Sequence, residues 1–257
     1  KTHVGAFAGH NIGEIISCIN NAPLHFGGHY SGGIAGYSTK KIYSCGNYGA
    51  ITQLEGKTDT GGIVGQNQAT VPIEKCFNFG SVNGGIATAG IVGKITAGVQ
   101  INNCFNNGEI TADAAGISAG IAADVKSGVT FTNCYNSGAI KSGKTILSAE
   151  AAIYNTFPET SIPIIKNCYY LACEGEGKEG TVSLTDEMLK NEKSYNGWDF
   201  INVWSFDLSG NYEYPVLQSE YALPSAPVLY EPYNSDINLF SLNTISYEKK
   251  FEILNKY

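Results

Sequence analysis

The sequence predicts an all-β fold built from stacked parallel coils. Three observations predict it: a period of about 30 residues, a heavy load of glycine and a shortage of charge. Of 257 residues, 31 are glycine and 15% are charged, against roughly 7% glycine and a quarter charged in an average globular domain. That balance excludes helical bundles and coiled coils, which need long runs of charged and helix-forming residues. The length allows one large domain or two small ones with a sizeable core.

The period is carried by two independent landmarks. A small-Gly-apolar-small-Gly element recurs as Gly5-Ala6-Phe7-Ala8-Gly9, Gly32-Gly33-Ile34-Ala35-Gly36, Gly61-Gly62-Ile63-Val64-Gly65 and Ala89-Gly90-Ile91-Val92-Gly93, with weaker copies ending at Ala123 and Asn155. Its last residues fall at 9, 36, 65, 93, 123 and 155, so the steps run from 27 to 32. Cysteines keep the same beat at Cys18, Cys45, Cys76, Cys104, Cys134 and Cys168. Around each cysteine the pattern continues. An apolar residue stands three before (Ile15, Ile42, Ile73, Ile101, Phe131, Ile165), and an asparagine two after (Asn20, Asn47, Asn78, Asn106, Asn136, broken by Tyr170). A small residue stands four after, Gly49, Gly80, Gly108 and Gly138 among them.

A unit of this size, holding three short β-type segments between Gly and Asn turns, cannot bury an apolar face alone and must stack on its neighbours. Leucine-rich, ankyrin and tetratricopeptide repeats have similar periods but require helical Leu or Ala faces, absent here. What remains is a single-stranded parallel β-helix, or β-solenoid, of about six coils at residues 1–175. Successive coils lie about 4.8 Å apart, giving a rod of roughly 29 Å. In such a stack the asparagines form a coil-to-coil amide ladder. The glycines supply positive φ or close backbone approach at corners, and the cysteines act as small buried fillers. Aligned thiols are poorly oriented for the ~90° disulfide torsion. Cys168 and Cys173 are the one pair to consider for a bridge.

The Gly-Gly-Ile-Val-Gly element followed by Cys-Phe-Asn-x-Gly (Cys76 to Gly80) resembles the GLUG-motif repeat family of bacterial surface proteins, over about residues 4 to 172. The resemblance implies a β-helical segment of a secreted or wall-attached protein, often an adhesin. Such repeats also accompany IgA-specific metalloproteases, whose zinc motif lies elsewhere; no His-Glu-x-x-His occurs in this chain. The lost glycines at Ala123 and Asn155 and the lost asparagine at Tyr170 predict irregular last coils.

Residues 176–218 are expected to close the rod. A loop rich in Glu and Gly leads to Ser183 or Thr185, either one a helix N-cap followed by acids, predicting a short helix over about 185–193. Both tryptophans, Trp198 and Trp204, follow, and the resemblance implies that a Trp-Asp-Phe…Val-Trp…Tyr-Pro-x-Leu segment closes a repeat block. Physically, the last coil exposes open core and unpaired strand edges that need covering, so both rings are assigned to a cap. Residues 219–257 carry three prolines and no repeat, and fit either a linker, a packed-back strand or the start of a further domain.

The functional reading rests on chemistry sought along the chain. The net charge is −7 and every one of the 16 basic residues is Lys, which excludes a nucleic-acid groove. No run approaches the ~18 apolar residues of a membrane span, and no signal peptide opens the chain. It starts inside a repeat, as a piece of a longer protein would. Pectin lyases and polygalacturonases share the β-helix, so a carbohydrate-active enzyme is the rival reading, which would need clustered carboxylates. The acids up to residue 170 (Glu14, Glu55, Asp59, Glu74, Glu109, Asp113, Asp124, Glu150, Glu159) include no adjacent pair. His3, His10, His25 and His29 all lie in the first 30 residues without a ligand spacing, so neither a metal nor another cofactor is expected. One column suggests binding. After each cysteine come Ile19, Gly46, Phe77, Phe105, Tyr135 and Tyr169, so four aromatic rings should line up. If Cys and Asn face inward, alternation puts these rings outside as a stripe for sugars or a partner; if the apolar residue before Cys sets the phase, they are core. The sequence therefore predicts a non-enzymatic surface or secreted module, an adhesin or spacer, monomeric within a longer chain, whose partner is a host or environmental glycan or protein.

Overall fold

The structure, a computed structural model, describes residues 2–218 except 55–57, 97, 127, 143–144, 147–148, 157–161, 174 and 207–211. The expected tail at 219–257 lies outside the described residues. The repeat region is a parallel β-solenoid in which each turn contributes five short strands rather than three, one to each of five sheets. In the second turn these are Tyr30–Gly32 (sheet A), Ala35–Ser38 (B), Ile42–Tyr43 (C), Gly46–Asn47 (D) and Ile51–Gln53 (E). Strands of two to four residues follow from the sequence, where Gly, Asn and Ser interrupt the alternation before it can run longer. Pairing sets each repeat position against itself: Ile42, Ile73, Ile101 and Phe131 are mutual partners across sheet C. One antiparallel pair departs from this, Ile140–Ser142 with Thr145–Ile146. The rod has about five turns rather than six. Sheet A holds five strands against six in sheets B and C, because a 3-10 turn at Ala149–Ala151 precedes the last sheet-B strand, where the glycines of the motif are lost.

Sheets B and C enclose the main core, which stacks Ile34, Ile63, Ile91, Ile121 and Ile153 against Ile73, Ile101, Phe131 and five of the cysteines. A smaller core under sheet E holds Phe26, Ile51, Val82 and Ile110. Between sheets C and D the chain turns through a left-handed residue in every turn: Ser17, Ser44, Lys75, Asn103, Asn133 and Asn167 all have φ between 51° and 54°. Asparagine tolerates this region best after glycine. The repeat glycines are therefore not the source of positive φ at that corner. Gly80 and Gly108 are needed for closeness instead: a Cβ on Gly80 would lie 2.1 Å from the Gly49 carbonyl oxygen, and one on Gly108 2.0 Å from that of Gly80.

After the rod, Thr181–Leu184 adds a seventh strand to sheet D beside Cys168–Leu171. Thr185 then caps a single helical turn, Asp186–Leu189, its hydroxyl accepting from the Met188 N–H. The helix ends there, and a separate 3-10 turn covers Glu192–Ser194, so the expected helix is broken at Lys190 and Asn191. Trp204–Phe206 and Pro215–Leu217 close the segment as an antiparallel pair.

Candidate functional site

Three side-chain columns account for the repeated residues. In the first, the Nδ2 of Asn20, Asn47, Asn78 and Asn106 each donates to the Oδ1 of the next asparagine at 2.7 Å, ending at Asn136. The second amide proton goes to a carbonyl two residues on, such as Gly80 at 2.7 Å and Gly108 at 2.9 Å. Both protons are thus satisfied away from water, which a buried amide requires. The ladder also explains a glycine: a Cβ on Gly62 would sit 2.5 Å from Asn78 Cγ. At the next position Tyr170 replaces asparagine, and its hydroxyl instead accepts from the Gly177 N–H at 3.0 Å.

In the second column the thiols of Cys45, Cys76, Cys104, Cys134 and Cys168 are buried, Cys18 is half-buried and Cys173 is exposed; no disulfide links any of them, including Cys168 and Cys173. Each ladder thiol donates to the carbonyl two residues back, as Cys104 does to Asn102 at 3.2 Å. Burial pushes the Cys104 and Cys168 thiols well up, so these sulfurs stay protonated fillers rather than nucleophiles.

The third column is the aromatic one, and it is not a surface stripe. Cysteine and asparagine do face inward, so the rings leave the main core. Phe77, Phe105 and Tyr135 stack at 5.5 and 5.0 Å, and Tyr169 follows in register. All four are nevertheless buried, Tyr135 completely, because the chain after the rod folds back along this flank. Trp204 lies 6.1 Å from both Phe105 and Tyr135, Trp198 lies 5.7 Å from Tyr169, and the two indoles stack at 4.1 Å. Trp198 Nε1 donates to the Asn167 carbonyl at 3.0 Å and Trp204 Nε1 to Asn103 Oδ1 at 3.3 Å. The Tyr135 hydroxyl donates to the Pro215 carbonyl at 2.7 Å. The tryptophans thus cover the side of the rod along its last turns, those of Phe105, Tyr135 and Tyr169, rather than only its open end. Alternation alone could not show this, because it fixes which side of the sheet the rings occupy but not what returns to cover them. The row runs out at Gly46, whose missing side chain is replaced by the Phe77 ring, and at Ile19, which is exposed.

A fourth arrangement was missed in the sequence. Sheets A and B meet at the glycine-rich arch so closely that a Cβ on Gly36 would lie 2.7 Å from the Tyr30 carbonyl oxygen. Beyond that contact two rows of side chains face outward together. On sheet A the register runs His3, Tyr30, Asp59, Ala87, Ile117; on sheet B it runs His10, Tyr37, Gln66, Lys94, Asp124. His3 stacks on Tyr30 at 5.0 Å and lies 5.2 Å from Tyr37, with His10 4.9 Å from Tyr37. Further along, Lys94 forms an ion pair with Asp124 and feels the charge of Asp59. His25 is exposed on sheet E and His29 precedes Tyr30, so only two of the four histidines share this face. Among the described residues no group of three or more His, Cys, Asp or Glu is placed to hold a metal ion. Among the described residues, too, no helix is long and apolar enough to cross a membrane.

Fold and columns together define an all-β repeat protein of the parallel β-solenoid class. It is similar in fold to the crystal structure of a protein described as a "putative immunoglobulin A1 protease" from Bacteroides ovatus, at 18% identity and a TM-score of 0.50, over 80% of this chain and 75% of that one. No protein-family model matches the chain, and no curated protein matches it.

Proposed function

We propose that this chain is a non-enzymatic module of a bacterial cell-surface or secreted protein, a GLUG-type β-solenoid acting as a spacer or adhesin. The observation that carries the reading is that the repeated columns serve the rod itself. The asparagines bond to asparagines, the thiols fill the core, and the aromatic row is sealed under Trp198 and Trp204. A rod stabilised in this way is stiff and self-contained, as a module that holds other domains away from a surface must be. The GLUG resemblance rests on the repeated motifs, and the extracellular location rests on that resemblance. The rival, a polysaccharide lyase or glycoside hydrolase, is supported only by Asp59 and Asp124, which flank Lys94 rather than each other. Two measurements test the reading: treatment of intact cells carrying the full-length protein with an impermeant lysine label, and incubation of the purified chain with acidic and neutral polysaccharides. Labelling of these repeats without polysaccharide cleavage is expected. Protection of the repeats inside intact cells, or release of new reducing or unsaturated ends, overturns the proposal.

A further inference from the structure

We infer that the outward groove between sheets A and B binds a neutral, hydroxyl-rich saccharide chain. The first ground is its composition. The asparagine and cysteine columns repeat one residue turn after turn and the aromatic column repeats one kind, whereas here the two rows read His, Tyr, Asp, Ala, Ile and His, Tyr, Gln, Lys, Asp. The coil-to-coil bonding and stacking that fix those three columns do not dictate these rows. The second ground is an unpaired atom. Gln66 is only 9% exposed, and its Oε1 is buried with no hydrogen-bond partner. Buried polar atoms are nearly always satisfied, and an exception calls for a missing donor. Gln66 stands in its row between Tyr37 and Lys94, at the middle turn of the groove.

The chemistry along the groove then selects the ligand. At one end the His3, Tyr30, Tyr37 and His10 rings form a cluster with His10 exposed and His3 and Tyr37 half-exposed. Aromatic faces carry negative charge density and attract the polarised C–H faces of a pyranose. From the middle turn onward stand two carboxylates and one ammonium, Asp59, Asp124 and Lys94, leaving a net negative charge when the histidines are neutral. Such a site accepts hydrogen bonds from hydroxyls and repels uronates and other polyanions. The rows span five turns, four steps of about 4.8 Å or roughly 19 Å, which suits an oligosaccharide better than a single sugar.

The inference deepens the adhesin side of the proposed function and is tested separately from it, on purified protein. Isothermal titration with neutral tetrasaccharides (β-1,4-glucan, β-1,4-mannan and β-1,4-galactan) and with tetragalacturonate provides the probe. Saturable binding of at least one neutral tetrasaccharide is expected, and none of tetragalacturonate. Tyr37→Ala and Gln66→Met should each weaken it by about tenfold or more, the loss of one good contact. Gln66→Met should leave the unliganded melting temperature unchanged or higher, since it removes an unpaired acceptor; a merely structural glutamine would lower it. Should Tyr37→Ala fail to fold, the exposed His10→Ala takes its place. Absence of binding by all three neutral probes at millimolar concentration, binding of the uronate alone, or affinity unchanged in the variants overturns the inference. None of these outcomes bears on cell-surface exposure or on lack of cleavage.

Discussion

Asn106 is the sharpest test of the ladder, because it sits in the middle with both neighbours in place. It makes three hydrogen bonds through its side chain: it accepts from Asn78 at 2.7 Å, donates to Asn136 at 2.7 Å and donates to the Gly108 carbonyl at 2.9 Å. Asn106→Ala removes all three and leaves Asn136 Oδ1, the Gly108 carbonyl and one Asn78 proton without these partners in a site shielded from water. An orphaned buried polar group costs about 1–3 kcal/mol, and the amide's space admits a water that offsets part of the loss. A destabilisation of about 3–6 kcal/mol is expected. Asn20→Ala, at the end of the ladder, orphans Asn47 Oδ1 and the Ala22 backbone, whose N–H and carbonyl both pair with Asn20 near the exposed first turn; it should cost about 1–2 kcal/mol. The assay is urea unfolding followed by circular dichroism for the strands and by tryptophan fluorescence for the flank, since repeat arrays can unfold in stages. The ladder argument fails if Asn106→Ala stays within about 1 kcal/mol of the parent, or if Asn20→Ala costs as much.

The flank gives a second test: Trp204→Ala, at a site with no exposed surface, should cost about 3–5 kcal/mol and let an apolar dye reach Phe105 and Tyr135, whereas an unchanged melting temperature would show that the segment does not hold the row. Thiol titration of the native protein should find Cys173 fast, Cys18 slow and the other five silent until denaturant is added; a third reactive thiol, or a mass loss marking a disulfide, contradicts the buried column. Alkaline pH should unfold the flank first. Burial raises Tyr135 well above its ordinary value, and Tyr48 and Tyr214 to about 12. Folding therefore favours the protonated phenols, and their contribution is whole below the unfolded tyrosine value of about 10 and is lost as pH climbs through the folded values. Stability that holds flat from pH 9 to 12 would contradict that burial.

Much of the fold is legible because a solenoid writes its structure as periodicity. The cysteine and asparagine columns needed only spacing and the alternation of strands. The turn count was overread at the last copy, where Ala151-Ala152-Ile153 keeps the apolar core position but not the glycines, and the chain forms a 3-10 turn instead of a sheet-A strand. Five strands per turn were read as three because pairs of residues such as Gly46–Asn47 are too short to show a period. The left-handed corner was hidden for another reason: Ser, Lys and Asn share that site, and only their common place before cysteine links them. The flank was hidden most deeply, since its contacts join residues such as Asn103 and Trp204, about a hundred positions apart and outside any repeat.

The groove was missed for a reason that turns into a rule for reading such rods. A column whose side chains bond or stack from coil to coil, like the asparagines and the aromatic rings, repeats itself, because each turn presents the same neighbours to the next. A search by repetition therefore finds structure and passes over function. A column that faces outward is released from that demand, and its residues can differ from turn to turn without harming the rod. Variation alone is not a site, since a solvated face also varies. What separates the two rows on sheets A and B from a solvated face is burial against chemistry: Tyr30, Asp59 and Gln66 are all less than a tenth exposed, yet none repeats its neighbours above and below. Polar groups placed that deeply without periodic reason cost stability unless something satisfies them. Gln66 shows that the rod itself leaves one of them unsatisfied. The repeating columns thus mark what the molecule needs in order to stand, and the groove proposed above lies where a partly buried polar row on the outer face departs from that repetition and leaves the Gln66 oxygen unpaired.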